Sequence, residues 1–85
     1  MPLFLIERQF AEVFEVEPAG VAAIQKINAD VGVTWVFSFL SADRKKTYCL
    51  YEATSAEAIR EAARRANLPA DAVIEVTELR PETFV

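Results

Sequence analysis

Two apolar segments separated by only five residues constrain the fold of this chain more than any other feature. Residues 33–40 are mainly β-branched and aromatic, and residues 46–53 return to that character after the turn-like stretch SADRK. Segments of this composition form strands, and a connection this short joins neighbouring antiparallel strands. The sequence therefore predicts a central β-hairpin, with strand two over 33–40 and strand three over 46–53.

A helix is predicted on each side of this hairpin along the chain. Pro18 suits a first helical turn, apolar residues then recur at helical spacing, and Gly32 can take the left-handed conformation that ends a helix. We expect this first helix over about 18–30. Thr54 and Glu57 match a capping box at the start of a second helix, which the Asn-Leu-Pro stretch at 67–69 ends.

Apolar segments near both ends of the chain complete the pattern. Residues 3–6 form a short apolar run typical of a buried strand, and residues 73–79 alternate as an edge strand does. Residues 11–17 fit either a strand extension or an ordered loop. The order strand-helix-strand, strand-helix-strand is that of the ferredoxin-like α+β fold, βαββαβ, with an antiparallel sheet in the order 4-1-3-2 and both helices on one face.

Length and composition indicate one folded domain over residues 1–85. Two cores would each be too small to fold alone, and 53% hydrophobic residues exclude the composition of disordered chains. A net charge of −4 has the wrong sign for nucleic-acid binding. No apolar run is long enough for a membrane helix, and the opening residues do not resemble a signal peptide. Cys49 is the single cysteine and cannot form a disulfide within the chain, which fits a reducing compartment. We therefore expect a cytoplasmic protein without nucleic-acid or membrane partners.

The predicted fold leaves one face of its sheet bare. Simple alternation puts Trp35, Phe37 and Phe39 on one side of strand two and aliphatic residues on the other, so large apolar groups stay uncovered whichever side meets the helices. We expect a homodimer that packs sheet to sheet as a dimeric α+β barrel with a ligand cavity. Phe84 and Val85 are expected to pack on the partner subunit or on the sheet edge.

The sequence contains no catalytic signature. It has no His, which removes Ser-His-Asp and Cys-His arrangements, and the neighbours of Cys49 offer no positive charge to activate the thiol. We therefore expect no catalytic residues. The candidate ligand-binding residues are aromatic groups on the strands, which either line a pocket for a flat molecule or pack in the dimer core: Trp35, Phe37, Tyr48 and Tyr51.

Three carboxylates interrupt the apolar pattern of the strands and are the candidate metal ligands: Glu7, Glu52 and Glu75. Glu7 and Glu75 could approach each other, because the end of strand one neighbours the start of strand four in the predicted order. Paired carboxylates share a cation or a proton. The alternative is that these acids pair with basic residues at the ends of the sheet, namely Arg8, Lys45 or Lys46.

Four stretches of the chain resemble a known family. They are PLFLIER at residues 2–8, GVTW at 32–35, FLSADRKKTYCLYEA at 39–53 and LPAD at 68–71. The family is a bacterial one of small ferredoxin-like proteins of unknown function that includes a nickel-binding member. The resemblance covers nearly the whole chain, implies the same fold and a dimer, and makes nickel the metal to consider. Relatives often carry His in the stretch that matches residues 60–65, whereas this chain has none. A metal site in this chain would therefore use carboxylates, backbone and water.

These observations favour a non-enzymatic protein that binds a small ligand or a metal ion, with nickel as the metal, and acts as a homodimer. One alternative is a cofactor-independent enzyme, similar to monooxygenases or isomerases, that uses the dimer cavity. The other alternative is a structural or regulatory interaction module without a ligand. A proton acceptor in the cavity would favour the enzyme over the binding protein.

Overall fold

The computed structural model describes residues 1–84, without the side chain of Phe84, and shows one four-stranded antiparallel sheet with two helices. The strands are β1 (Leu3–Gln9), β2 (Thr34–Leu40), β3 (Lys46–Glu52) and β4 (Ala72–Val76), the helices are α1 (Pro18–Val31) and α2 (Ala56–Ala66), and a 3-10 turn spans Pro81–Phe84. The sheet order is β2-β3-β1-β4. This confirms the ferredoxin-like βαββαβ fold. The predicted packing of Phe84 and Val85 lies outside the described residues.

The helix ends follow local backbone chemistry. Gly32 ends α1 with a φ of 80°, and Asn67 ends α2 with a φ of 56°, both in the left-handed region. The predicted cap at Thr54 is wrong by one residue, because the hydroxyl of Ser55 accepts a hydrogen bond from the backbone N–H of Ala58 at 3.2 Å. Helix α2 begins one residue after this cap.

The buried core lies between one face of the sheet and the two helices. Phe4 and Ile6 of β1 stand directly opposite Tyr51 and Cys49 of β3, and Ile59 of α2 packs onto this cluster. We call this side of the sheet the helix face. Strand alternation places the other half of each strand on the opposite side, which we call the open face.

A bulge in β2 changes which side chains share a face. Trp35 is opposite Tyr51, whereas Phe37 is already opposite Leu50, so Val36 is an extra residue in the ladder. One extra residue reverses the alternation beyond it. The prediction that all three aromatic residues of strand two share a side is therefore wrong, because Trp35 lies on the helix face while Phe37 and Phe39 lie on the open face.

The open face carries large apolar side chains that no element of the described chain covers. Phe37 is 49% exposed, Phe39 64% and Ile74 47%. Phe37 and Phe39 meet edge to face, with ring centroids 5.4 Å apart. The bare face expected from the fold is therefore present, and it holds two of the three aromatic residues assigned to it.

Residues 10–17 form an ordered loop that rests on the hairpin turn, rather than a strand extension. The backbone N–H of Phe10 donates to the carbonyl of Lys45 at 2.8 Å, and that of Phe14 donates to the carbonyl of Arg44 at 2.7 Å. The rings of Phe10 and Phe14 stack at 4.4 Å. The loop is thus held at one end of the helix face.

None of the helices in the described part of the chain is both long enough and apolar enough to cross a membrane.

Candidate functional site

A cavity of about 110 Å³ lies on the helix face of the sheet. Strands β1, β2 and β3 contribute residues to its wall, together with the loop at residues 10–17 and α1. The apolar residues of the lining include Phe10, Phe14, Val16, Ile24, Trp35, Leu40 and Leu68. Concave, mainly apolar sites with a few fixed polar groups are the usual form of small-molecule sites in proteins.

Two of the predicted ligand-binding residues, Trp35 and Tyr51, line this cavity side by side. Their rings are nearly parallel, at an interplanar angle of 10° and a centroid distance of 6.5 Å. The indole N–H of Trp35 donates a 2.7 Å hydrogen bond to the hydroxyl oxygen of Ser38, which also lines the cavity. The two rings therefore present a fixed aromatic surface to the cavity.

The other two predicted ligand-binding residues, Phe37 and Tyr48, lie on the open face. Phe37 pairs with Leu50 and Phe39 with Tyr48 across β2 and β3. The structure thus divides the four aromatic residues between two surfaces. The bulge at Val36 separates Trp35 from Phe37, whereas Tyr48 and Tyr51 are three residues apart on β3 and lie on opposite faces by simple alternation. Only Trp35 and Tyr51 belong to the cavity.

Arg8 also belongs to this site, although the sequence predicts it only as an alternative ion-pair partner for a carboxylate. Its side chain lines the cavity and is only 4% exposed. The alternation of Phe4, Ile6 and Arg8 along β1 places all three on the buried face. Residues 3–6 are all apolar, so the sequence alone does not show which face of β1 is buried, and it gives no sign that Arg8 rather than Glu7 lies on that face.

Neutral groups surround the guanidinium of Arg8. Its Nη1 donates to the backbone carbonyl of Pro69 at 2.5 Å, and its central carbon lies 5.9 Å from the centroid of the Tyr51 ring. Burial raises the pKa of the Tyr51 hydroxyl above its ordinary value of 10.0, although the charge of Arg8 acts in the opposite direction. Tyr51 therefore stays neutral at physiological pH and does not compensate the cation.

The three candidate metal ligands do not come together in the described chain. Glu7 lies on the open face with its carboxylate 3.8 Å from the Nζ of Lys46, whereas Glu75 is opposite Phe4 and so belongs to the other face. Glu52 stands at the far end of β3, opposite Leu3. The ion pair of Glu7 agrees with the alternative assignment, and the metal-binding roles of the three carboxylates remain predictions.

The fold and the cavity define a class of protein: a small ferredoxin-like α+β domain with a bare sheet face and an apolar cavity on its helix face. The chain belongs to the SCO4226-like family, described as nickel responsive proteins, whose family model matches residues 4–76. It is similar to the crystal structure of SCO4226 from Streptomyces coelicolor A3(2), with a TM-score of 0.69 and 21% identity over 92% of this chain and 99% of that chain. At this identity the likeness shows the fold alone. Among curated proteins, none matches this chain.

The described residues do not fit a nickel site. Nickel favours imidazole nitrogen, and the sequence contains no His. Within residues 1–84, no group of three or more Cys, Asp or Glu side chains stands close enough to hold a metal ion. The family description names nickel, and the described residues of a single copy of this chain contain no group of three ligands that would place it.

Proposed function

We propose that this protein is a non-enzymatic binding protein that holds a small, largely apolar molecule in the cavity on the helix face and acts as a homodimer. The observation that supports it best is the cavity itself, about 110 Å³ in volume and lined by the stacked pair of Trp35 and Tyr51. An engineered cavity of about 150 Å³ lined by apolar side chains binds benzene, so a space of this order accepts a molecule near that size.

The polar groups of the lining favour binding over catalysis. Within the described residues, the lining contains a guanidinium, hydroxyls and a thiol, but no carboxylate and no imidazole. A general base at physiological pH is usually His, Asp or Glu within hydrogen-bonding reach of the substrate. Cys49 is buried in the core cluster, where a free cysteine behaves as a small hydrophobic residue.

The open face is the surface proposed for the homodimer. Its exposed apolar side chains, Phe37, Phe39 and Ile74, stand among charged ones, and Glu7 and Lys46 already pair on that face. A twofold axis brings the same patch of two copies together, so a face with both apolar groups and charges of both signs can be complementary to itself. A second copy would remove the aromatic rings from water.

Nickel binding is the second candidate function, and the family description is the observation that favours it. The carboxylates Glu7, Glu52 and Glu75 are the candidate ligands on sequence grounds. They do not come together in a single chain, so a site that contains all three would require groups from a second copy. This requirement makes the cavity the stronger proposal for the protein's binding activity.

The cavity can be tested with small aromatic probes, benzamide and benzoate, because Trp35 is the only Trp of the chain. We expect titration to shift the NMR signal of the Trp35 indole N–H and to raise the melting temperature by mass action. Ile24→Phe places a larger group in the lining and should abolish both effects. Val21→Phe, on the same helix but outside the lining, is the matched control. Failure of both probes to bind the unmodified protein at millimolar concentration would overturn the proposed function.

A further inference from the structure

The cation inside the cavity has no counter-charge in the described chain. Arg8 is 4% exposed, and the ion pairs of residues 1–84 join other partners. Its contacts include the Pro69 carbonyl and the ring and hydroxyl of Tyr51, which are all neutral. An arginine side chain carries its charge throughout the physiological range of pH, and a buried charge is costly unless an opposite charge or several hydrogen bonds compensate it.

Two hydroxyls of the lining are also placed to donate. The Ser38 oxygen accepts a hydrogen bond from the Trp35 indole at 2.7 Å, and the Thr47 oxygen accepts one from the Cys49 thiol at 3.6 Å. Within the described hydrogen bonds, neither hydroxyl proton has an acceptor. Thr47 is moreover the direct cross-strand neighbour of Arg8, so both residues lie on the helix face and line the same cavity.

We infer that the cavity selects a small organic anion, a monocarboxylate on a flat or branched apolar body, with the carboxylate on Arg8. This inference rests on the proposed function, since it names the class of ligand for the same cavity. The guanidinium fork matches a carboxylate in two parallel hydrogen bonds, and such charge-assisted bonds are stronger than neutral ones.

The lining also favours the binding of a monocarboxylate over that of other anions. Arg8 is the only cationic side chain among the described lining residues, so a single negative charge is balanced and a phosphate dianion is not. The aromatic pair of Trp35 and Tyr51 and the aliphatic residues favour an apolar body over a second polar group. The volume of about 110 Å³ limits that body to roughly one ring.

The test compares benzoate with benzamide, which has nearly the same shape without the charge. We expect isothermal titration of the full chain to give at least tenfold tighter binding for benzoate, a ratio that corresponds to about 1.4 kcal/mol. Arg8→Met removes the charge and keeps an unbranched stem, and it should abolish the preference while leaving benzamide binding in place. Arg60→Met removes an exposed arginine of α2 and should leave both affinities unchanged.

The outcomes separate this inference from the proposed function. Equal affinity for the two probes overturns the anion inference and leaves the binding function standing, whereas binding of neither probe overturns both. Loss of benzoate preference in Ser38→Ala or Thr47→Val would support the donor role of the hydroxyls. If Arg8→Met does not fold, the ratio of benzoate to benzamide affinity on the unmodified protein still decides the question.

Discussion

At the scale of single residues, the burial of Tyr51 couples the stability of the protein to alkaline pH. Burial raises the pKa of its hydroxyl above 10.0, so the folded protein keeps this proton when the unfolded chain has released it. Unfolding then releases a proton, and the free energy of unfolding falls as the pH rises above 10. We expect this stability to be fully present below pH 10 and lost as the pH rises through the pKa of the folded state.

The measurement is urea unfolding of the protein and of Tyr51→Phe at a series of pH values from neutral to alkaline. The variant should lose less stability over the alkaline part of the series, because the phenylalanine has no proton to release. Tyr48→Phe on the open face is the control for the general effect of removing a tyrosine. A parallel decline in all three proteins would contradict a buried, protonated Tyr51.

At the scale of elements, the start of α2 depends on one hydroxyl. The Ser55 side chain accepts a hydrogen bond from the backbone N–H of Ala58, whereas Thr54 precedes the cap. We expect Ser55→Ala to lower the free energy of unfolding by about 1 kcal/mol, or the melting temperature by about 4–8 °C. Thr54→Ala should change stability by less than about 0.5 kcal/mol. A larger effect at Thr54 in thermal denaturation would show that the capping box predicted from the sequence is the correct one.

Most elements of this fold could be predicted from the sequence because local chemistry encodes them. Gly32 and the Asn-Leu-Pro stretch at 67–69 ended the two helices where they were expected to end, and the five residues 41–45 can connect only neighbouring strands. The bulge at Val36 could not be predicted in this way. A bulge depends on how β2 is paired with β3, and alternation along β2 alone contains no sign of the extra residue.

In the candidate site, too, some features can be predicted from local sequence and others depend on how the strands pair. Trp35 and Tyr51 are aromatic residues with polar tips, and the odd spacing of Tyr48 and Tyr51 along β3 already predicts that these two lie on opposite faces. The separation of Trp35 from Phe37 follows only from the bulge. The burial of Arg8 could not be predicted either, because residues 3–6 are apolar on both faces and do not show which of Glu7 and Arg8 lies on the helix face. A charged residue at such a position conflicts with its local pattern, and conflicts of this kind tend to occur at functional sites.

At the scale of the whole molecule, the open face predicts a homodimer. Phe37 and Phe39 are 49% and 64% exposed, and a soluble monomer seldom leaves such a cluster in water. Analytical ultracentrifugation at micromolar concentration should give twice the 9.5 kDa mass of one chain. Phe39→Lys should shift the protein towards the monomer, while Leu79→Lys, 75% exposed and outside the strands, should not. A single 9.5 kDa species for the unmodified protein would contradict the dimer.

Metal binding is also a property of the whole molecule, because one copy of the chain does not bring Glu7, Glu52 and Glu75 together. Carboxylates and water are hard ligands that suit magnesium and calcium, and they gain little from the preference of nickel for nitrogen. We therefore expect weak and poorly selective binding when nickel, zinc and magnesium are titrated in turn by calorimetry. Glu7→Gln and Glu75→Gln should weaken that binding further if these side chains are ligands. Submicromolar nickel affinity in the unmodified protein would contradict this expectation.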